Sequence, residues 1–157
     1  MQNPEAIVTA LENAPGILLP LVREVPAAVL KRRPKPGKWS AHEHACHLSV
    51  VHEILFPRLD AMLNEQNSSI KPYNPDQNES EDHLLLLDLE ESLNRFVSDR
   101  RRLVDRLRTL PPDVWNRTAE HPEYSHYSIF IMFRHLAMHD LFHAYRIEGL
   151  LLKKDWD

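Results

Sequence analysis

The sequence predicts an all-α fold, a four-helix bundle with at least one crossing connection. Only three of the 157 residues are glycine, too few for the tight turns of a sheet-rich protein. No segment alternates convincingly between apolar and polar residues, and four blocks instead repeat apolar residues every three or four positions. Connections of ten or more residues between blocks predict the crossing connection. The length predicts one domain over residues 1–157.

Composition and charge exclude several classes of protein. The 19 Lys and Arg residues against 23 Asp and Glu give a net charge of −4, which argues against binding to the phosphates of a nucleic acid. The single cysteine, Cys46, allows no internal disulfide. No apolar run of about 18 residues predicts a membrane span, and no basic, apolar leader begins the sequence. We therefore expect a cytoplasmic protein with no nucleic-acid or membrane partner.

The first apolar block covers residues 4–30 and contains several prolines. Proline fits the first turn of a helix but breaks an interior turn, because it lacks an N–H group and crowds the preceding turn. Pro15, Pro20 and Pro26 therefore predict two or three short helices in series. The proline-rich segment 33–38 that follows is expected to be a connector.

The second block predicts a helix with a defined start. Ser40 is a candidate N-cap, and Glu43 three residues later completes a capping box. One apolar face then follows at spacings of three and four: Ala41, Ala45, Leu48, Val51, Leu55, Leu59 and Met62. Pro57 is expected to bend or split this helix. The polar stretch 64–79 is expected to be a loop.

The third and fourth blocks predict two further long helices, over residues 80–110 and 128–153, joined by a linker. The third helix contains a basic run at 100–102. Because Asp99 and Asp105 lie beside it, we expect this run to be a solvated face with salt bridges.

The last helix carries the most informative pattern in the sequence. Its apolar stripe contains Ile129, Met132, Leu136, Ile147 and Leu150. In its middle the stripe passes through His139 and His143, which are four residues apart on one face and can converge on one ion. Burying such rings unpaired costs about 1–3 kcal/mol for each polar atom, whereas a metal ion would use both. His135 extends the series, so the chelating pair is 135/139 or 139/143. The stripe favours the second pair.

A third ligand must come from another element, and the second helix offers four histidines. His47 flanks the apolar stripe of that helix, and His44 competes with it for the role. His42 and His52 project about 140° away round the helix and are expected at the surface.

Other metal patterns are weaker. The segment 42–46 resembles the protease pattern His-Glu-x-x-His, but its last position is Cys46, so the zinc-protease interpretation fails. His42 and Cys46 are themselves four residues apart, although small buried cysteines are common in helix cores. The remaining histidines lie in loops or at helix ends, where solvated roles are expected: His83, His121 and His126.

Two ordered segments resemble a known family. Arg33-Pro-Lys-Pro-Gly-Lys-Trp-Ser-Ala-His-Glu43 is followed by His47-Leu48, and later comes Arg134-His-Leu-Ala-Met-His-Asp-Leu-Phe-His143. In this order and spacing they resemble the DinB-like superfamily, which includes the YfiT-type proteins. The resemblance implies a four-helix bundle in which His47, His139 and His143 hold a divalent metal ion. It also implies frequent homodimers and, in some branches, transfer of low-molecular-weight thiols to electrophiles, or isomerase or amidase-like chemistry.

The chain departs from the family pattern at two places. Val50 and Val51 stand where relatives often carry an acidic residue after the helix-2 histidine, and Arg146 stands where glutamine is frequent. Both departures argue against transferring the substrate of any one member.

Three neutral histidines with an open position are typical of a catalytic metal site. Zinc is the first expectation, and nickel, iron or manganese would also suit three imidazoles. Glu43 and Asp140 are candidates to orient the imidazoles, with helix capping and solvation as the alternative. The pattern identifies no catalytic acid or base.

These observations predict a metal-dependent enzyme acting on a small molecule, as a thiol S-transferase or a hydrolase. The alternative is a non-catalytic bundle that binds a metal or another ligand. The missing acidic residue after the second helix's histidine favours that alternative.

Overall fold

A computed structural model describes residues 2–66, 68–71 and 82–156. The helices are α1 (Pro4–Glu24), α2 (Ala27–Leu30), α3 (Ala41–Asn64), α4 (His83–Leu86), α5 (Leu89–Arg108) and α6 (Ile129–Leu151). A 3-10 helix at Pro112–Asn116 and the short antiparallel strands β1 (Thr118–Ala119) and β2 (Tyr127–Ser128) occupy the linker between α5 and α6. This small hairpin was not predicted. Most of the predicted loop 64–79 lies outside the described residues.

The four long helices α1, α3, α5 and α6 form the bundle. Both α1 and α3 pack mainly on α5 and α6, so α1 and α3 occupy diagonal corners. Because α1 and α3 follow each other among the long helices, the chain must cross the bundle between them. The predicted all-α bundle with a crossing connection is confirmed.

The prediction that proline divides the first block was wrong, because α1 continues through Pro15 and Pro20. Pro15 cannot donate to the carbonyl of Leu11, one turn earlier. That carbonyl instead accepts a hydrogen bond of 3.2 Å from the Arg100 guanidinium of α5. A distant side chain thus replaces the missing backbone partner. Pro57 likewise lies inside the unbroken α3.

By length and composition alone α1 would suffice to cross a membrane, contrary to the sequence-based expectation that no segment would. Its Leu11, Leu18 and Val22 side chains are buried in the bundle. Amphipathic core helices of bundles pass the same test.

Local signals set the starts of the long helices. The Ser40 hydroxyl accepts a hydrogen bond of 3.2 Å from the Glu43 N–H, and the Glu43 carboxylate accepts one of 2.8 Å from the Ser40 N–H. This confirms the predicted capping box of α3. At α6 the Ser128 hydroxyl alone caps the helix, accepting a hydrogen bond of 3.3 Å from the Ile131 N–H. The predicted third helix is interrupted, because Asp88 caps a new helix, α5, after the short α4.

The buried apolar side chains form two clusters along the bundle. Leu48 and Ile147 belong to one cluster, whereas Leu55 and Leu136 belong to the other. Both α3 and α6 therefore pass from one cluster into the other between these residues. His139 and His143 lie on this stretch of α6, and His47 directly precedes Leu48 of α3.

Candidate metal centre

Three imidazoles from two helices converge at one point. The Nε2 atom of His139 on α6 lies 3.0 Å from Nε2 of His47 on α3, and 3.0 Å from Nε2 of His143. His47 and His143 are buried, and His139 is partly exposed. The structure therefore brings together the three histidines that the family resemblance implied. The donor atoms of these three described residues all lie within 4.8 Å of one another, close enough to hold one ion.

The spacing of these nitrogen atoms suits a divalent metal ion. Zinc binds histidine at about 2.0–2.1 Å, so two nitrogens at tetrahedral positions are about 3.3 Å apart. The observed separations of 3.0 Å are close to that value. Nε2 is the atom of each ring that faces the other rings. The Nδ1 atoms of His47 and His139 are buried without a hydrogen-bond partner. The donor set fits the ion.

Burial keeps the three rings neutral. Desolvation lowers the pKa of His47 to about 3, with a further lowering from the neighbouring His139. Burial lowers the pKa of His139 and of His143 in the same direction. At neutral pH each ring therefore retains a nitrogen lone pair, which is the form that binds a metal.

His44 is a neighbour of the triad and not its third member. Its Nδ1 atom lies 2.8 Å from Nδ1 of His143, on the far side of that ring from the triad. An acceptor at this position holds the His143 proton on Nδ1 and leaves Nε2 free. His44 precedes His47 by three residues, and this helical spacing was the signal for its position.

Trp39 covers the cluster from the connector before α3. Its ring lies 4.9 Å from the ring of His47 and stacks on that of His143 at 5.9 Å, centroid to centroid. Gly37, two residues earlier, has a φ of 70°, a left-handed conformation that favours glycine. The connector therefore turns sharply just before it reaches the site. The sequence places Trp39 just before α3, but it does not predict the contacts of its ring with His47 and His143.

The expectation that His42 and His52 lie at the surface was wrong, since both are buried. His52 accepts a hydrogen bond of 3.2 Å from the Arg100 side chain. His42 lies 3.5 Å from the Cys46 sulfur, and burial raises the pKa of that thiol. The spacing of four residues indicated the contact of His42 with Cys46, whereas nothing in the sequence paired His52 with Arg100.

The basic run 100–102 is likewise not wholly solvated. Arg100 is 1% exposed and forms an ion pair with Asp140, which is 2% exposed. Glu43 pairs with Arg33, and this contact and the Ser40 hydrogen bonds lower the pKa of its carboxyl against the effect of burial. The carboxylates considered as orienters of the imidazoles are thus occupied by arginines.

His135 was the alternative partner for His139. Its ring contacts Tyr124 and Tyr127, at centroid distances of 5.6 Å and 5.9 Å. It lies one turn from the triad, on the side of the linker. The pair that faces His47 is the one that the apolar stripe favoured, 139 and 143.

A solved structure shares this fold. YfiT from Bacillus subtilis, described as a candidate metal-dependent hydrolase with an unusual four-helix bundle topology, superposes with a TM-score of 0.83. The match covers 96% of this chain and 86% of that one, at 22% sequence identity. Identity at this level establishes likeness of fold.

Sequence relatives extend over nearly the same length. A protein of Oceanobacillus iheyensis, named as a candidate metal-dependent hydrolase, is 30% identical over 150 residues, which cover 95% of this chain and 86% of the relative. A Bacillus cereus protein with the same description is 25% identical over the same shares of the two chains. The family model of the DinB superfamily matches residues 10–147. This chain therefore belongs to the DinB superfamily.

Proposed function

We propose that this protein is a metal-dependent enzyme that acts on a small molecule, as a hydrolase or a thiol S-transferase. The observation that carries the proposal is the convergence of three neutral Nε2 atoms from α3 and α6. Three protein ligands leave at least one coordination position open, which is typical of catalytic sites and not of structural ones. The descriptions of the relatives as candidate metal-dependent hydrolases support it.

His47, His139 and His143 would hold the ion in this enzyme. A divalent cation, when bound, favours the deprotonated form of a thiol or a water molecule at neutral pH. Zinc suits three imidazoles, and nickel, iron or manganese would also be accepted. His139 is partly exposed, so a small molecule can approach the triad from its side. Trp39 and the buried side of the bundle close the other sides.

A second candidate function is a metal- or ligand-binding module without catalysis. The observation that favours it is the pairing of the two nearby carboxylates, Glu43 with Arg33 and Asp140 with Arg100. Neither is a free proton acceptor beside the triad. An enzyme with this arrangement must take its base from the substrate or from solvent.

Turnover distinguishes the two functions. Zinc-loaded and nickel-loaded protein is assayed for conjugation of a thiol to 1-chloro-2,4-dinitrobenzene and for hydrolysis of p-nitrophenyl acetate. We expect one activity that is lost with a chelator and in His47→Ala but retained in His135→Ala. A loaded protein that binds metal and accelerates neither reaction would support the non-catalytic module.

We also propose that two copies associate through α6. Five exposed residues follow the alternating spacing of four and three that is typical of a helix-pairing seam: Arg134, Met138, Leu141, Tyr145 and Glu148. In an antiparallel pair with a two-fold axis at Leu141, Met138 faces Tyr145 of the second copy. Arg134 then faces Glu148, so the ends of the seam are complementary in charge.

Light scattering on the purified protein tests the seam. We expect a dimer, a monomer for Leu141→Glu, and a dimer for Leu86→Glu, which places the same charge at another exposed leucine. Dimeric Leu141→Glu would contradict the seam.

We also propose a cytoplasmic location. The free Cys46 thiol fits the reducing conditions of that compartment.

A further inference from the structure

The triad is unusually poor in negative charge. Its ligands are neutral imidazoles, so a bound divalent cation would keep its full charge of about +2. The two acidic side chains that lie nearest along the chain are neutralised by arginines, since Glu43 pairs with Arg33 and Asp140 with Arg100. No carboxylate of the described residues joins the cluster of donor atoms.

A further positive charge stands beside this centre. Arg146 follows His143 by three residues, so it lies almost one turn further along the same side of α6. Its guanidinium lies over the ring of Phe142, 4.9 Å from the centroid. The Phe142 ring in turn contacts the ring of His143 edge-on, with 5.3 Å between the centroids, so a single aromatic ring separates the guanidinium from the triad.

Arg146 also has no acidic partner among the residues that the structure describes. Arg100, by contrast, pairs with Asp140. Arg146 is exposed, and its guanidinium contacts the face of the Phe142 ring, which is itself 49% exposed. A guanidinium held over an aromatic ring keeps its donors directed outward and loses little freedom on binding.

We propose that Arg146 binds an anionic group of the substrate, of the carboxylate class, while the reactive group of the same molecule meets the triad. This inference rests on the proposed function and names its substrate class. A guanidinium matches a carboxylate with two parallel hydrogen bonds. A cation beside a metal centre without acidic ligands also raises the local concentration of anions.

Cobalt-loaded protein provides a binding test that does not depend on turnover. Thiol binding is followed through the thiolate-to-cobalt charge-transfer absorption, with 3-mercaptopropionate as the anionic probe and 2-mercaptoethanol as the neutral one. We expect the wild type to bind the anionic thiol about fivefold more tightly, and the preference to decrease with added salt. In Arg146→Gln the preference should disappear while the affinity for 2-mercaptoethanol is unchanged.

Arg102→Gln is a control for the loss of an exposed arginine that lies over a phenylalanine, here Phe56 at 4.3 Å, although Arg102 also pairs with Asp99. We expect it to keep the preference. Equal affinities for the two thiols in the wild type, or a preference that survives in Arg146→Gln, would overturn the Arg146 inference alone. Failure of both thiols to produce the absorption in cobalt-loaded protein would overturn the thiol-transfer function together with it.

Discussion

Two polar clusters include side chains of both α3 and α6, and they differ in how their charges and hydrogen-bonding groups are balanced. In the first, the arginine cluster, the Arg100 guanidinium donates to His52, to the Leu11 carbonyl and to the Asp140 carboxylate. In the second, the histidine triad, three Nε2 atoms of the same kind face one another. His139 and Asp140 are consecutive in α6, so adjacent residues of one helix serve the two clusters.

The difference separates a structural cluster from a functional one. Buried charges are stable in a bundle when opposite charges and hydrogen-bond acceptors surround them, as they do around Arg100. The triad instead brings together three Nε2 atoms of neutral rings, and no positive charge of the described residues stands among them. A divalent cation bound by the triad would supply that charge. We therefore expect the arginine cluster to govern folding and the triad to govern metal binding.

Loss of the arginine should have the largest effect. Arg100→Leu leaves Asp140 buried without its counter-charge, which costs about 3–5 kcal/mol of unfolding free energy. Arg23→Leu is the control, because Arg23 and Glu90 form a pair that is more than half exposed. It should cost less than about 1 kcal/mol. Urea denaturation measures both losses. A loss below about 1 kcal/mol for Arg100→Leu would show that the arginine cluster does not govern folding.

Stabilisation by zinc should be the next largest effect. Free zinc at 100 times its Kd raises the unfolding free energy of the wild type by about 2.7 kcal/mol. His139→Ala should show no such increase, because it removes the ligand shared by both short nitrogen contacts. His135→Ala, one turn away on α6, should behave like the wild type. Equal stabilisation of both variants would show that zinc binds elsewhere.

The contact between His44 and His143 should matter less. His44→Leu removes the acceptor at His143 Nδ1 and should weaken zinc binding about tenfold. His44→Gln keeps an acceptor oxygen and should retain most of the affinity, and His42→Leu is a control on the same helix. Competition with a chromophoric chelator measures the affinities. If His44→Leu and His44→Gln bind zinc equally, His44 does not orient His143.

Acid should destabilise the arginine cluster gradually, by a small amount for each pH unit. Burial and Arg100 lower the pKa of His52 from 6.5 to about 3, so the unfolded chain binds its proton first. Its contribution is complete above about pH 6.5 and is lost as the pH falls towards 3, with a slope of at most about 1.4 kcal/mol per pH unit.

His52→Gln should therefore reduce the slope of unfolding free energy against pH in metal-free protein. The exposed His126→Gln serves as the control. An unchanged slope in His52→Gln would mean that His52 is protonated in the folded state.

Sequence reasoning succeeded where the determinant was local. The Ser40 capping box and the Ser128 start depend on residues within one turn, and both are present. The apolar stripe of α6 likewise favoured 139 and 143 over 135 and 139, and these are the rings that face His47. Periodicity placed them on the buried side of their helix without any knowledge of the partner helix.

The errors share a non-local cause. Pro15 was expected to end a helix, but the carbonyl that it leaves unpaired is bound by Arg100, 89 residues beyond Leu11. The same arginine was expected in solvent and is buried, and so is His52, its neighbour. Each position looks unfavourable by itself, and only the assembled bundle brings together the groups that compensate one another.

X-ray absorption spectroscopy of zinc-loaded protein shows directly whether the three histidines bind one ion. We expect three imidazole nitrogens at about 2.0–2.1 Å, completed by oxygen donors, with no sulfur. A sulfur ligand at about 2.3 Å would instead place the ion at Cys46, and a single imidazole would mean that His47, His139 and His143 do not act together. Either result would contradict a metal centre at the triad.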